Sequence, residues 1–349
     1  MAANSPASTP RRTSTWRSGR VWFGVAVSAL FLGLLLRQVD GGELRTAVTE
    51  MRPQWLVLAL VVYFVALWIR GLRWQLVLRP HVHVSSFEAF SLLVIGYAAN
   101  NVLPVRAGEF VRAGLLQSRH GTPWTTGLGA IVVERVLDGL VLALFLSGTV
   151  LLAGGNGVVR ALAGLGAVGF LTVLVLMYAL AFAGDRGTVL VVRLLHFVPG
   201  RIGERLASMA EGLLGGLAVL RDLRLGMLLL LTTTATWALE AATYWLVGEG
   251  FGLGLAPALY FGLCGAANLA IAAPSTSGGI GPFEFFAREV AVGFGAATAA
   301  ATAYALVVHA VVLVPVVLLG AVLLWRQHLG FGSLVRARER FEATTPIEG

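Results

Sequence analysis

The stretch Asn100-Asn101-Val102-Leu103-Pro104-Val105-Arg106-Ala107-Gly108-Glu109-Phe110-Val111-Arg112 decides how this chain must fold. It follows the apolar run from Phe87 to Ala99 and precedes a much longer apolar run that begins near Thr125. Two arginines, a carboxylate, two amides and a helix-breaking proline therefore lie where a bilayer would be expected. Lipid offers no hydrogen-bond partners, so a broken backbone survives there only when it is buried in protein or lines a wet cavity. Ionisable groups at that depth are costly and read as functional by default.

A second stretch repeats the order of parts. It runs from Asn268 through Pro274, Ser277, Gly278, Gly279 and Gly281 to Glu284 and Arg288. In both, Asn precedes Pro, Gly follows the Pro by four residues, Glu comes next, and Arg lies three or four residues further on. Pro removes a donor and stops a helix, while Gly lets the backbone turn and approach a ligand closely. Freed N–H groups at a half-helix N-terminus favour an anion such as phosphate. Arg106 and Arg112 carry the planar fork that holds phosphate bidentately. Backbone contacts would come from the breaks at Pro104, Gly108, Pro274, Gly278, Gly279 and Gly281. Asn100, Asn101, Asn268, Ser277 and Arg288 complete the polar groups of a substrate-binding site.

Composition sets the class. The hydrophobic fraction is 57%, the charged fraction 13% and the mean hydropathy +0.81. Repeated runs of about twenty apolar residues are membrane spans. All 26 basic residues are Arg, with no Lys, and the net charge of +8 favours anionic lipid surfaces. The arginines are spread over loops and span ends, which argues against nucleic acid. A single Cys264 excludes an intramolecular disulfide. No cofactor or metal motif is present: His81 and His83 lie two apart in a loop and read as solvated.

In order, residues 1–20 are polar and basic and read as a disordered cytoplasmic tail. Val21 to Leu36 is an uncleaved first span. Residues 37–53 are neutral in sum. The second span runs from Gln54 to Ile69 and ends in Arg70, Arg73 and Trp74, of which Trp74 reads as an interfacial anchor. The broken region 87–118 precedes spans over 125–153 and 161–183. Residues 184–225 carry six Arg against four acids, with apolar residues at helical spacing; they predict an amphipathic cytoplasmic helix on the membrane. A span over 225–247, the broken region 257–297 and a last span over 300–325 follow, and 326–349 form a second cytoplasmic tail.

Charge bias selects a topology. If each broken region enters and leaves on one side, all the Arg-rich segments face the cytoplasm, as the positive-inside rule requires. The expectation is an all-α polytopic membrane protein in the cytoplasmic membrane. Residues 21–325 would hold six full spans plus two re-entrant broken-helix hairpins, in a pseudo-inverted repeat with both termini cytoplasmic.

Further polar groups lie in the spans. Glu134 and Asp138 are i and i+4 on one helical face, about ten residues into the membrane. Arg106 or Arg112 is a partner for them, or one carboxyl stays protonated. Arg135 reads as part of an ion-pair network. Glu240 and His309 are lone polar groups, and a lone His in a span is most often a satisfied interhelical hydrogen bond.

Taken together, Asn-Asn-x-x-Pro-x-Arg-x-Gly-Glu-x-x-Arg, then Glu134-Arg135-x-x-Asp138, then Pro-x-x-x-Gly-Gly-x-Gly-x-x-Glu, resemble the lysylphosphatidylglycerol synthase transmembrane-region family of flippase-like proteins. The resemblance covers residues 20–330. In the multiple peptide resistance factors of that family this region is the flippase half for aminoacylated phosphatidylglycerol, and a separate soluble domain is the synthase. This sequence ends at Gly349 without such a domain, so the resemblance implies a transporter module without lipid aminoacylation, and no enzyme. The expected function is movement of a phosphate-bearing lipid or lipid-linked intermediate across the membrane. Arg106 and Arg112 would hold the phosphate; Glu109, Glu134, Asp138 and Glu284 would hold a cationic headgroup portion or protons. The implied partners are membrane phospholipid and proteins of lipid or glycan biosynthesis. Two other readings are an intramembrane lipid-modifying enzyme and a non-transporting accessory subunit of an envelope-biosynthesis complex.

Overall fold

The computed structural model describes residues 19–37, 40–103, 107–154, 157–195, 197, 201–271 and 277–327. Both expected tails lie outside the described residues, except for the short ends at 19–20 and 326–327. Among the described residues the fold is all helical, with thirteen α-helices and no strand. The helices are α1 (Gly19–Leu36), α2 (Gly41–Glu50), α3 (Gln54–Leu78), α4 (Ser86–Val102), α5 (Gly108–His120), α6 (Trp124–Ala153) and α7 (Gly157–Ala183). They continue as α8 (Asp185–Leu195), α9 (Arg201–Gly216), α10 (Leu223–Phe251), α11 (Leu259–Ala270), α12 (Pro282–Gly293) and α13 (Thr298–Arg326).

Among the described residues, five helices are long and apolar enough to cross a membrane: α3, α6, α10, α13 and the Gly164–Ala183 part of α7. Helix α1 carries a shorter apolar stretch, Ala26–Leu35. Start signals are chemical. Asp40 accepts from Gly42 N and Glu43 N to begin α2, Ser85 accepts from Glu88 N to begin α4, and Asp222 accepts from Arg224 N to begin α10. These side chains satisfy N–H groups that a helix start leaves unpaired.

Helix α3 departs from expectation. It does not end at Ile69 but runs on to Leu78, with Arg70, Arg73 and Trp74 buried inside it. The anchor reading of Trp74 is therefore wrong: Trp74 and Arg73 are 0% exposed. A helix can carry two guanidinium groups through a core when carboxylates on other helices neutralise them, and here they do.

Helices α4 and α5 pack on each other, as do α11 and α12. The 12-residue helices α11 and α12 each rise only about 18 Å, short of a bilayer core. The pairing of elements is reciprocal. Helix α3 packs on α10; α4 packs on α13 as α11 packs on α6; α5 packs on α6 as α12 packs on α13. The ends of the α4/α5 pair are tied together by His120 Nε2 and Glu88 Oε1 at 3.0 Å, and Arg119 reaches Gln327 beyond α13. The free ends of the α11/α12 pair lie at the opposite end of the bundle, where α10 finishes and α13 starts.

Small residues set the spacing. A methyl group on Gly129 would fall 2.2 Å from the Leu213 carbonyl oxygen, and one on Gly216 2.5 Å from Ala130 N. Helix α9 thus lies directly against α6, the close backbone approach typical of membrane helix pairs. Helix α8 leaves Val189, Leu190 and Leu194 exposed.

Candidate functional site

Two polar centres lie within the bundle. The first is a closed charge network. Arg73 of α3 reaches Asp138 at 2.5 Å and Glu134 at 3.4 Å, both on α6, and also bonds Thr233 Oγ1 of α10 at 3.0 Å. Arg112 of α5 pairs with the other oxygen of Glu134 and stacks over the Trp74 ring, 3.9 Å from its centroid. Trp237 Nε1 donates to Asp138 Oδ1 at 2.8 Å. Arg135 of α6 also approaches Asp138 Oδ2 at 3.8 Å, so three guanidinium groups face the two carboxylates and the network adjoins the second centre. The expected partner Arg112 is present; Arg73 was not anticipated.

The second centre is a cavity of about 150 Å³ where the two hairpins meet. Asn100 and Asn101 of α4 line it from one side, and Asn268, Gly278 and Phe283 from the other. Arg70, Arg135 and Glu240 supply its charge, and His309 adds an imidazole. The volume is well above what one water needs, and the lining is polar, so the space suits a hydrated or charged guest. Asn100 Oδ1 accepts from Gly108 N at 2.7 Å, closing the first hairpin at the start of α5. Opposite it, a methyl on Gly278 would lie 3.9 Å from the Asn101 carbonyl oxygen, so the two hairpins touch tip to tip.

The charges around this cavity differ in how freely they face it. Arg70 is 7% exposed, bonds Glu240 Oε2 at 2.5 Å and lies over Trp237 at 4.5 Å. Arg135 pairs with Glu109 at 3.2 Å, and both side chains are more than a third exposed. Arg135 is thus the accessible cation beside the cavity. Glu284 and His309 bond at 2.7 Å, and the second Glu284 oxygen accepts from Gly281 N at 2.7 Å. Gly281 has φ 101°, which strains any residue with a Cβ, and a Cβ there would meet the Ser28 carbonyl oxygen of α1 at 2.7 Å. That position holds α12 against α1.

Among the residues expected from sequence, Asn100, Asn101, Asn268 and Gly278 line the cavity. Glu109 borders it through Arg135, and Glu284 through His309. Gly108, Gly279 and Gly281 lie in the hairpin turns around it. Arg112, Glu134 and Asp138 belong to the closed network instead. Arg288 is buried on α12, beside Glu289. Pro104, Arg106 and Pro274, as well as the Ser277 side chain, lie outside the described residues. Sequence reasoning missed Arg70 and Arg135 as cavity groups. The available signal was an Arg or Glu within a helix-compatible apolar run, which Arg70, Arg135 and Glu240 all satisfy.

A family model of the lysylphosphatidylglycerol synthase TM region matches residues 21–320. The chain belongs to this family. It is a multi-pass integral membrane protein. Among its relatives, the glycosyltransferase AglD of Haloferax volcanii is 28% identical over 330 residues, covering 82% of this chain and 51% of AglD. The chain therefore spans about half the length of that relative. A UPF0104 membrane protein of Methanothermobacter thermautotrophicus is 27% identical over 322 residues, covering 87% of this chain and 92% of its own length. No solved structure matches the chain.

Proposed function

We propose that this family member moves a phosphate-bearing lipid or lipid-linked intermediate between the leaflets of the cytoplasmic membrane. The observation that carries the reading is the tip-to-tip meeting of two hairpins, from opposite ends of the bundle, beside a cavity with Arg135 open to it. The reciprocal packing of α3–α6 and α10–α13 is what an inverted repeat produces, and such repeats bind substrate where broken helices meet. In this reading α1, α3, α6, α7, α10 and α13 are the six spans and the two hairpins re-enter. The Arg-rich termini and α8–α9 face the cytoplasm, as the bias of positive charge favours. A headgroup phosphate would take Arg135 as its partner, displacing Glu109, while Asn100, Asn101 and Asn268 accept and donate around it. Rocking one half against the other would open the cavity to alternate sides. Pro104, Arg106 and Pro274 remain proposed contacts in the turns, and biosynthesis proteins that make or consume the lipid are the proposed partners.

The test is transbilayer movement in proteoliposomes of two fluorescent probes, a phosphatidylglycerol and a polyprenyl phosphate. Wild type is expected to move at least one faster than protein-free vesicles, and Arg135→Gln to reduce that rate about tenfold or more, the scale of one lost charge-assisted contact. Movement of neither probe would contradict the reading. The name of the AglD relative favours a second one, in which the module serves a glycosyl-transfer reaction by holding a lipid-linked sugar. Binding of the polyprenyl probe without its movement would favour that.

A further inference from the structure

His309 of α13 is held between two acceptors. Its Nδ1 lies 2.7 Å from Glu284 Oε1, and its Nε2 lies 3.0 Å from the Gly278 carbonyl oxygen. The other Glu284 oxygen is occupied by Gly281 N. A neutral imidazole has a single N–H and can serve only one of two acceptors. Serving both takes one more proton, on the ring or on the Glu284 carboxyl. Glu284 is 4% exposed and His309 5%, so the arrangement is sealed by protein except where His309 meets the cavity. Phe283 stacks on the imidazole with centroids 4.1 Å apart and holds the ring in this plane.

We propose that Glu284 and His309 form a proton-binding site whose single exchangeable proton is bound together with the anionic headgroup, making lipid movement proton-coupled. The proposal rests on the transport reading above. The Gly278 carbonyl is part of the hairpin tip that touches Asn101, so the proton ties that tip to α13. When the proton leaves to cavity water, the ring keeps one N–H, and either Gly278 or Glu284 loses its donor. The pair then carries a net negative charge beside the cavity and repels a phosphate. By reciprocity, a phosphate at Arg135 favours the protonated pair, and protonation favours the phosphate.

The other groups that face His309 do not replace this proton. Helix α3 contributes Arg70 and Tyr63, Arg70 being paired with Glu240 of α10; Tyr63 donates to the Val312 carbonyl oxygen. Helix α4 contributes Tyr97 and the two asparagines, and α6 contributes Arg135, paired with Glu109. Glu43 and Glu50 of α2 line a groove with Thr298, three turns of α13 away from His309.

The test uses the full chain in lipid nanodiscs with ¹⁵N-labelled histidine, the His309 signals being assigned by their loss in His309→Gln. In wild type both ring nitrogens are expected to be protonated at the acid end of the titration, and one proton to be lost by its alkaline end. Hydrogen exchange of backbone amides over residues 277–285 should rise about tenfold across the same titration, beyond its intrinsic pH dependence. In Glu284→Gln the amide can donate to Nδ1, so the ring should be neutral throughout, with Nε2–H kept on Gly278. A protonated Glu284, seen as a carboxylic-acid infrared band that titrates with exchange at the tip, would place the same proton on the acid and uphold the site. A ring that stays neutral with an ionised Glu284 from about pH 5 to 9, or a titration that leaves tip exchange unchanged, would overturn it. If His309 titrates as stated but wild type moves neither lipid probe, the proton site stands and the transport reading fails. If lipid moves while neither the ring nor the Glu284 carboxyl ever holds the extra proton, only the proton site fails.

Discussion

Arg73 reaches two carboxylates, a threonine hydroxyl and no solvent. Removing one member of such a buried set leaves an uncompensated charge, which costs about 3–5 kcal/mol, whereas replacing partners together by apolar residues is far milder. Arg73→Met is therefore expected to lower thermal stability in detergent severely, and Arg73→Met with Asp138→Leu to recover a large part of it. Equal loss in the single and double variants would show that charge balance is not what the network supplies. Arg135→Gln should behave differently, because the side chains of Arg135 and its partner Glu109 are both more than a third exposed. Its melting temperature should remain near wild type while lipid movement falls. The sequence made the charged residues of α5, α6 and α12 visible because they break an apolar pattern. It could not show their partners: Arg70 meets Glu240 across 170 residues, and Arg73 meets Asp138 across 65. An arginine near the end of an apolar run looks like a surface anchor until the helix is seen to continue past it.

Each hairpin depends on backbone contact as much as on charge. Gly108 starts α5 so close to α4 that a methyl group would lie 1.9 Å from the Gly96 carbonyl oxygen and 2.6 Å from Asn100 N. Gly108→Ala must push the two helices apart and disturb the Asn100 bond to Gly108 N. The expected cost is about 1–3 kcal/mol, as for overpacking a dense core, read from thermal unfolding. An unchanged melting temperature would contradict the close approach. At this scale Pro and Gly made the breaks legible: α11 and α12 fall within 257–297, and α4 and α5 pass the bounds of 87–118 by one and two residues. The placement of α9 was not legible. Its apolar stripe predicts a helix lying on lipid, and only the fit of Gly129 against Leu213 and Gly216 reveals that α6 takes up part of it. An amphipathic pattern tells which face is apolar, not what covers it.

At the scale of the whole molecule, the two halves pair their helices reciprocally, and in each a side chain of the hairpin ties it to the span that follows. In the first half Arg112 of the hairpin meets Glu134 of the following span; in the second, Glu284 of the hairpin meets His309 of the following span. One half is tied by an arginine–carboxylate pair, the other by a carboxylate–imidazole pair, and the cavity lies between them. In the proposed mechanism that asymmetry gives one fixed and one adjustable hairpin around a site for an anion. Mass spectrometry of the lipids that co-purify with the full chain, wild type beside Arg135→Gln, tests this most directly. A phosphate-bearing lipid class should be enriched over the bulk membrane composition with wild type and return to bulk level with folded Arg135→Gln. The same bulk lipid composition on both proteins would contradict headgroup recognition at the cavity.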